Sequence, residues 1–236
     1  MILVPTPEEK TKKVAVIQSN YVPWLGYFAV MASVDLFVVY ECVQYTKNDW
    51  RNRNQLYSSD GRRTWLSIPI RQFSTKQAFM ETKVSEHTWA KSHLKTLHHH
   101  FARTQGWLSR REVLESLYDR AAGMTYLFEV NRLFLGWAVE ALGVRTRVVY
   151  LDTYPLFEDP DERLISILQH FGATHYLSGP AAKSYIRASL FDEARIDLSY
   201  VNYDDLIRQV LVTPQPFPTA SILQLIIEGN HEFKYL

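Results

Sequence analysis

A single cysteine, Cys42, stands in a chain of 236 residues. That excludes an internal disulfide framework and any metal site built on several thiolates, and it fits a reducing compartment. Charge of one sign is not in excess, since 26 Lys and Arg face 25 Asp and Glu for a formal +1. No global field therefore marks a nucleic-acid or membrane partner. Long hydrophobic runs are missing as well. The apolar stretch Trp137–Leu142 is broken by Glu140 and falls far short of the ~20 residues a spanning helix needs. Met1–Lys13 holds two prolines and a Glu-Glu-Lys-Thr-Lys-Lys run without the basic-then-apolar order of a secretory signal, and reads as a mobile lead-in. The expectation is a cytoplasmic protein with no membrane insertion.

What is present suits a folded domain. At 47% hydrophobic and 22% charged the chain can bury a sizeable core, which excludes wholesale disorder. Six tryptophans, 14 tyrosines and 12 phenylalanines are spread among amides and arginines, a mixture that serves a binding cleft or a packed core alike.

Val14–Ile17 is short, β-branched and bounded by polar residues, and predicts a buried strand. Pro23 suits the first turn of a helix running to about Ser33, with Leu25, Phe28, Ala29 and Ala32 inward. Leu36–Tyr40 predicts a second strand, and the strand–helix–strand unit implies a right-handed crossover with parallel pairing. Thr64–Ile70 and Met80–Val84 read as an antiparallel pair around a loop at Arg71–Gln77. Helices follow at about Thr88–Arg103, Arg111–Ala122 and Thr125–Leu142, a strand at Val144–Leu151, a helix at Asp161–Phe171 and a strand at His175–Ser178. Ala181–Ser189 and Ser221–Glu228 close the chain as helices. The fold class is α/β: a Rossmann-like, mainly parallel sheet with an antiparallel strand pair and an added helical region. Residues 14–236 form a single α/β domain, in which 88–142 can stand as a helical subdomain with a soft boundary near Gly106–Arg110.

Two stretches gather groups that can carry chemistry. Gln18-Ser-Asn-Tyr-Val-Pro-Trp24 places amides and aromatics at a strand end before a helix amino terminus, whose free N–H groups favour an anion. Gln18 and Asn20 would orient a polar ligand, and Tyr21, Trp24 and Tyr27 would stack on a ring or serve as lid and core filler. Glu41-Cys-Val-Gln-Tyr-Thr-Lys47 leads into Trp50-Arg-Asn-Arg-Asn54, whose guanidinium forks suit phosphate or carboxylate. An extended backbone there would put Arg51 and Arg53 on one face, with Asn52 and Asn54 on the other. Both strands end at one sheet edge, where open α/β sheets place ligands, so Gln18, Asn20, Gln44 and Ser178 are expected to converge on one pocket with Arg51 or Arg53 at its rim.

The run Ile17-Gln-Ser-Asn-Tyr-Val-Pro-Trp-Leu-Gly-Tyr-Phe28, with Asp35, Val43-Gln-Tyr-Thr-Lys47 and Trp50-Arg-Asn-Arg-Asn54, resembles the WbqC-like family of bacterial proteins. Trp65-Leu-Ser-Ile-Pro-Ile70, Trp89 with Lys91 and His93, Tyr176-Leu-Ser-Gly179 with Lys183 and Tyr185, and Phe217–Leu223 extend the likeness over nearly the whole chain from Val14. Ser19 stands where that family usually has proline, and Glu41-Cys42 where it usually has an acidic pair. The resemblance implies biosynthesis of a bacterial surface glycan, such as an O-antigen, or of a related amino-sugar compound. The opening also looks loosely like nucleotidyltransferases with a His-X-Gly-His loop, but Pro23-Trp-Leu-Gly-Tyr27 keeps only the glycine.

Other candidates are weaker. Trp89, His93, Leu97 and His100 share one helix face, but His93 and His100 lie two turns apart, ~10 Å, too far to share a metal by themselves. No ligand spacing for zinc exists and no cofactor is implied. His93 is therefore either an acid–base group or a core histidine. Cys42 lacks a partner base, and Ser178 is not in a GxSxG elbow, so Ser178 and Lys183 read as ligand binders and covalent catalysis is disfavoured. The leading expectation is a transferase moving an acyl or aminoacyl group to the amine of a sugar or nucleotide-sugar substrate. In it Glu41 or His93 is the base, and Gln18, Asn20, Tyr21, Trp24, Gln44, Tyr45, Lys47, Arg51, Asn52, Arg53, Asn54, Ser178 and Lys183 bind. One alternative is a non-catalytic ligand-binding or assembly protein of the same pathway. Another uses aminoacyl-tRNA as donor, held by a basic strip of Arg51, Arg53, Arg62, Arg63, Arg71 and Lys76.

Overall fold

Five parallel strands organise the molecule in a computed structural model that describes residues 11–71, 74, 76–155, 157–210 and 219–229. The chain opens with β1 (Lys13–Gln18), α1 (Leu25–Ala32) and β2 (Leu36–Tyr40), as the apolar pattern predicts. A ribbon of β3 (Arg53–Tyr57) and β4 (Arg63–Ser67) follows, then a short pair, β5 (Ile70–Arg71) and β6 (Lys83–Val84). Three helices come next, α2 (Trp89–Phe101), α3 (Gln105–Ala122) and α4 (Leu127–Ala141). The second half runs β7 (Arg147–Leu151), α5 (Pro160–His170), β8 (His175–Ser178), α6 (Ala188–Glu193), β9 (Asp197–Tyr200), α7 (Tyr203–Val210) and α8 (Ile222–Glu228).

The central sheet has the order β7-β2-β1-β8-β9, and every neighbouring pair is parallel. Alternation sets its two faces. Ala15, Phe37 and Val39 enter a large core with α1, α3, α4 and α8, while Val14, Leu36 and Val38 enter a smaller one with Ile167 and Phe191. Successive strands step from β1 to β2 and β7 on one side, then return to β8 and β9 on the other. The direction of winding therefore reverses between β1 and β8, which is where open sheets leave a crevice.

The antiparallel region differs from its expected pairing. Pro69 has no N–H to give, and the stretch read as one strand over Thr64–Ile70 divides around it. Its first part, β4, pairs with β3, and its second, β5, pairs with β6. β3 starts only at Arg53, so the expected alternation over Arg51–Asn54 does not hold: Arg51 and Asn54 are both buried. The helix expected at Ala181–Ser189 is likewise two pieces, a 3-10 turn at Pro180–Ser184 and α6. Asp161 explains the break, because its carboxylate accepts from both the backbone N–H and the guanidinium Nε of Arg187 and holds the chain extended there. The soft boundary expected near Gly106 lies inside α3. A Cβ on Gly106 would stand 1.7 Å from the carbonyl oxygen of Ile227, so the glycine lets α3 close on the end of α8. Lys13 already belongs to β1, and the rest of the expected lead-in through residue 10 lies outside the described residues, as do parts of the loop over 71–77 and of the Phe217–Leu223 motif.

Candidate functional site at the carboxyl ends of the strands

The tips of β1 and β2 stand side by side, Gln18 opposite Tyr40. The loop after β1 is held in a costly conformation: Val22, β-branched, has φ 39°. Its carbonyl accepts from Asn54 Nδ2 at 2.8 Å and from Ser221 Oγ at 3.0 Å, and Asn54 also reaches the Tyr21 carbonyl at 3.2 Å. Trp24 closes the loop against Tyr203, ring centroids 4.8 Å apart.

On the α5 side of the strand tips lies a cleft of about 430 Å³. Gln18 and Gln44 line it together with Tyr40, Arg163, Tyr176 and the exposed Tyr185. Asp159 caps α5 by accepting from the N–H groups of Asp161 and Glu162, and Pro160 supplies its first turn, which aims Arg163 at the cleft. Arg163 donates to the Phe157 carbonyl at 2.7 Å and toward Tyr40 Oη at 3.4 Å, while its buried Nε has no hydrogen-bond partner among the described residues. Ser178 is buried behind the wall and donates to Tyr176 Oη at 3.3 Å. Burial pushes the Tyr176 phenol up to about 12.

On the α4 side of the same tips is a buried polar cluster. Glu41 is fully buried and receives two donors of the Arg132 guanidinium, Nε at 2.8 Å and an Nη; Asp152 extends the pair at 3.4 Å. Burial raises the Glu41 carboxyl above its ordinary range, opposed by Arg132 and less strongly by Ser19. Burial works against the charge on Arg132, but Glu41 outweighs it and the guanidinium is held more firmly protonated. Arg51, also buried, donates to the Ser19 carbonyl at 3.2 Å and to Asn20 Oδ1. Asn131 Nδ2 donates to the Arg51 carbonyl at 2.9 Å and to Ser19 Oγ at 3.3 Å. Four buried atoms of this cluster lack a hydrogen-bond partner among the described residues: Tyr27 Oη, Glu41 Oε1, Arg51 Nε and Asn131 Oδ1. Buried polar groups are seldom left without a hydrogen-bond partner.

The expected site residues therefore divide. Gln18 and Gln44 share the cleft; Glu41, Asn20 and Arg51 share the polar cluster; Ser178 reaches the cleft only through Tyr176. Neither Arg51 nor Arg53 stands at the cleft's rim. Arg51 is buried, and Arg53 lies over Trp65 on the ribbon, 4.6 Å from the ring centre. Arg163 is the cation there instead. His93 is buried with both ring nitrogens engaged, and burial lowers it to about 4. Tyr21 is its partner in the core, not a ligand platform. Tyr45 donates to Asn52 Oδ1 at 3.0 Å, and Asn52 in turn donates to the Ile68 carbonyl at 2.8 Å, so both brace the ribbon. Lys47 is exposed, and Lys183 lies over the Tyr200 ring at 5.1 Å. Burial also keeps the Cys42 thiol above its ordinary value. Sequence reading missed Arg163, Asn131 and Arg132, and gave Tyr176 only as part of a motif. Asn131-Arg132, a polar pair between the apolar runs of α4, was the legible signal.

Residues 18–232 match the sequence model of the WbqC-like protein family. The chain belongs to that family. A relative, the uncharacterized protein Rv1507c of Mycobacterium tuberculosis, is 36% identical over 228 residues, 94% of this chain and 95% of its own length. No solved structure matches the WbqC-like chain. Among the described residues no group of three His, Cys, Asp or Glu side chains could hold a metal ion, and no helix is long and apolar enough to cross a membrane.

Proposed function

We propose that this WbqC-like protein is a transferase that moves an acyl or aminoacyl group to the amine of a sugar-like substrate in surface-glycan synthesis, such as that of an O-antigen, or in a related amino-sugar pathway. The observation that carries the reading is Glu41: a fully buried carboxylate, anchored on Arg132 through one oxygen, with the other oxygen unpartnered beside Tyr27, Arg51 and Asn131. A carboxylate made more basic by burial suits proton removal from an attacking amine. As the amine nitrogen bonds to the donor's carbonyl carbon, its proton passes to Glu41, and the donor's leaving group departs with its electron pair. Gln18 and Gln44, across the strand tips from Glu41, would hold the acceptor's hydroxyls, Tyr185 would cover its ring, and Arg163 would meet a phosphate or carboxylate. The acceptor therefore has to reach over the tips of β1 and β2 to present its amine. Such a role places the protein in the cytoplasm, where a lone free cysteine is at home.

A non-catalytic reading of the same cleft draws support from Cys42, whose surroundings favour the neutral thiol, and from His93, whose two ring nitrogens are both engaged in the core. In a further variant the donor is an aminoacyl-tRNA, gripped by arginines of the β3–β4 ribbon. The deciding experiment incubates the protein with amino-sugar nucleotides and acyl donors and reads products by mass spectrometry. Wild type should form product and Glu41→Gln roughly 100-fold less. Bound acceptor without product would assign the binding role, and neither product nor binding would sink both readings.

A further inference from the structure

Outside the cleft, the β3–β4 ribbon carries a surface that the proposed transfer does not use. Trp50 and Trp65 are 40% and 43% exposed, unusual for the largest apolar side chain, and their rings lie 5.8 Å apart at 34°. Arg53 sits over Trp65, 4.6 Å from its centre. The register pairs Arg53 with Ser67, Gln55 with Trp65 and Tyr57 with Arg63, so Arg53, Trp65 and Arg63 share one ribbon face. Arg63 stands two residues, ~7 Å, from Trp65 along β4. It also lines a groove of about 530 Å³ between the hairpin end and the carboxyl end of α2, with Arg62, Thr64, His99 and His100. The α2 wall brings no carboxylate: from Thr88 to Arg111 the chain contains no Asp or Glu. The acids nearby are Asp49, which accepts from the Trp50 N–H at 2.7 Å and pairs with Arg51 at 3.4 Å, Asp60, which takes up Arg62 at 2.6 Å, and Glu228, which accepts from Gln224. A chain of formal +1 has thus gathered cations and exposed rings on one ribbon.

We infer that this surface binds a single strand of nucleic acid, with bases stacked on the Trp50–Trp65 pair and backbone phosphates held by Arg53, Arg63 and the groove behind them. Arginines beside stacking rings are what a strand with alternating π faces and charges requires. A polyacidic chain or an anionic headgroup would meet the arginines but leave the two exposed rings without a stacking partner. The step from Trp65 to Arg63 matches one nucleotide of an extended strand, which brings the next nucleotide to the groove mouth. The inference bears on the aminoacyl-tRNA variant of the proposed function but does not depend on any transfer.

The test is fluorescence anisotropy with a labelled twelve-nucleotide single-stranded RNA and the full chain. Binding should weaken log-linearly with salt, at a slope of about −2 for three phosphates. Trp65→Ala should lower affinity roughly 10-fold, and Arg63→Glu should lower affinity and flatten the salt slope, while Glu41→Gln binds as wild type. No binding at 50 mM salt, or binding indifferent to both ribbon variants, would overturn the assignment. So would equal competition by polyglutamate or by a neutral oligosaccharide, or capture by phosphatidylglycerol vesicles in place of RNA. Loss of RNA binding with intact acyl transfer, or the reverse, separates this surface from the cleft.

Discussion

The phenolic oxygen of Tyr21 lies 3.0 Å from Nδ1 of His93 and 2.9 Å from the Tyr118 oxygen, in a fully buried row. On the other side of the ring, Nε2 faces the Ser67 carbonyl at 3.2 Å. A carbonyl only accepts, so the imidazole proton is assigned to Nε2; Nδ1 then accepts from Tyr21, and Tyr21 from Tyr118. One directional row joins the β1 loop, α2, α3 and β4. Burial holds the His93 ring neutral and raises both phenols.

The row makes stability depend on pH. His93 titrates near 4 in the fold against an ordinary 6.5, so below 6.5 the unfolded chain binds the extra proton. Its contribution is complete above pH 6.5 and fades as pH falls toward 4, by roughly 3 kcal/mol in all. Denaturant titrations between pH 4 and 7 should show this slope, and His93→Gln should remove most of it. An undiminished slope in the variant would locate the effect elsewhere.

Removing Arg132 strands Glu41. Arg132→Ala should lose roughly 3 kcal/mol of unfolding free energy, because the carboxylate stays buried without its counter-charge. Adding Glu41→Gln should recover a good part of that loss. Chemical denaturation of the two single variants and the double variant measures it; strict additivity would mean the pair does not interact.

Asn54→Ala takes hydrogen bonds from the Tyr21 and Val22 carbonyls, leaving the Val22 carbonyl to Ser221 alone. The expected loss is about 2 kcal/mol. Hydrogen exchange should rise selectively at residues 19–24 while the β2 core stays protected. Uniform exchange across the sheet would contradict a local clamp.

Gly106→Ala places a methyl against the backbone carbonyl of Ile227, which has no side-chain rotamer with which to retreat. Destabilisation of roughly 2 kcal/mol is expected, read as a lowered Tm. A neutral outcome would show that α8 can shift away from α3 freely.

Much of the sheet was legible because its strands are short, β-branched and punctuated: Val14–Ile17, Leu36–Tyr40 and His175–Ser178 all fall within observed strands. β3 was not, because Arg-Asn-Gln-Leu-Tyr has no apolar alternation, and only its register with β4 reveals why it is extended. The amides at Gln18 and Gln44 could be placed at one edge from parallel pairing alone. Arg163, Arg132 and Asn131 could not, since α4 and α5 reach the strand tips through tertiary packing that local pattern does not encode. Arg51 misled because a guanidinium in a polar run reads as surface, whereas here it donates inward to backbone and Asn20.

Ser221 fastens the Val22 carbonyl, and Gln224 both accepts from the Tyr57 N–H and donates to its carbonyl. Some 200 residues of chain separate the partners of the first bond. On a ribosome, the loop after β1 emerges early and must wait for nearly all of the polypeptide before its clamp exists. Until α8 docks, the Val22 carbonyl has Asn54 without Ser221 to hold it. The polar tips of β1 and β2 are thus among the last parts of the fold to be fastened.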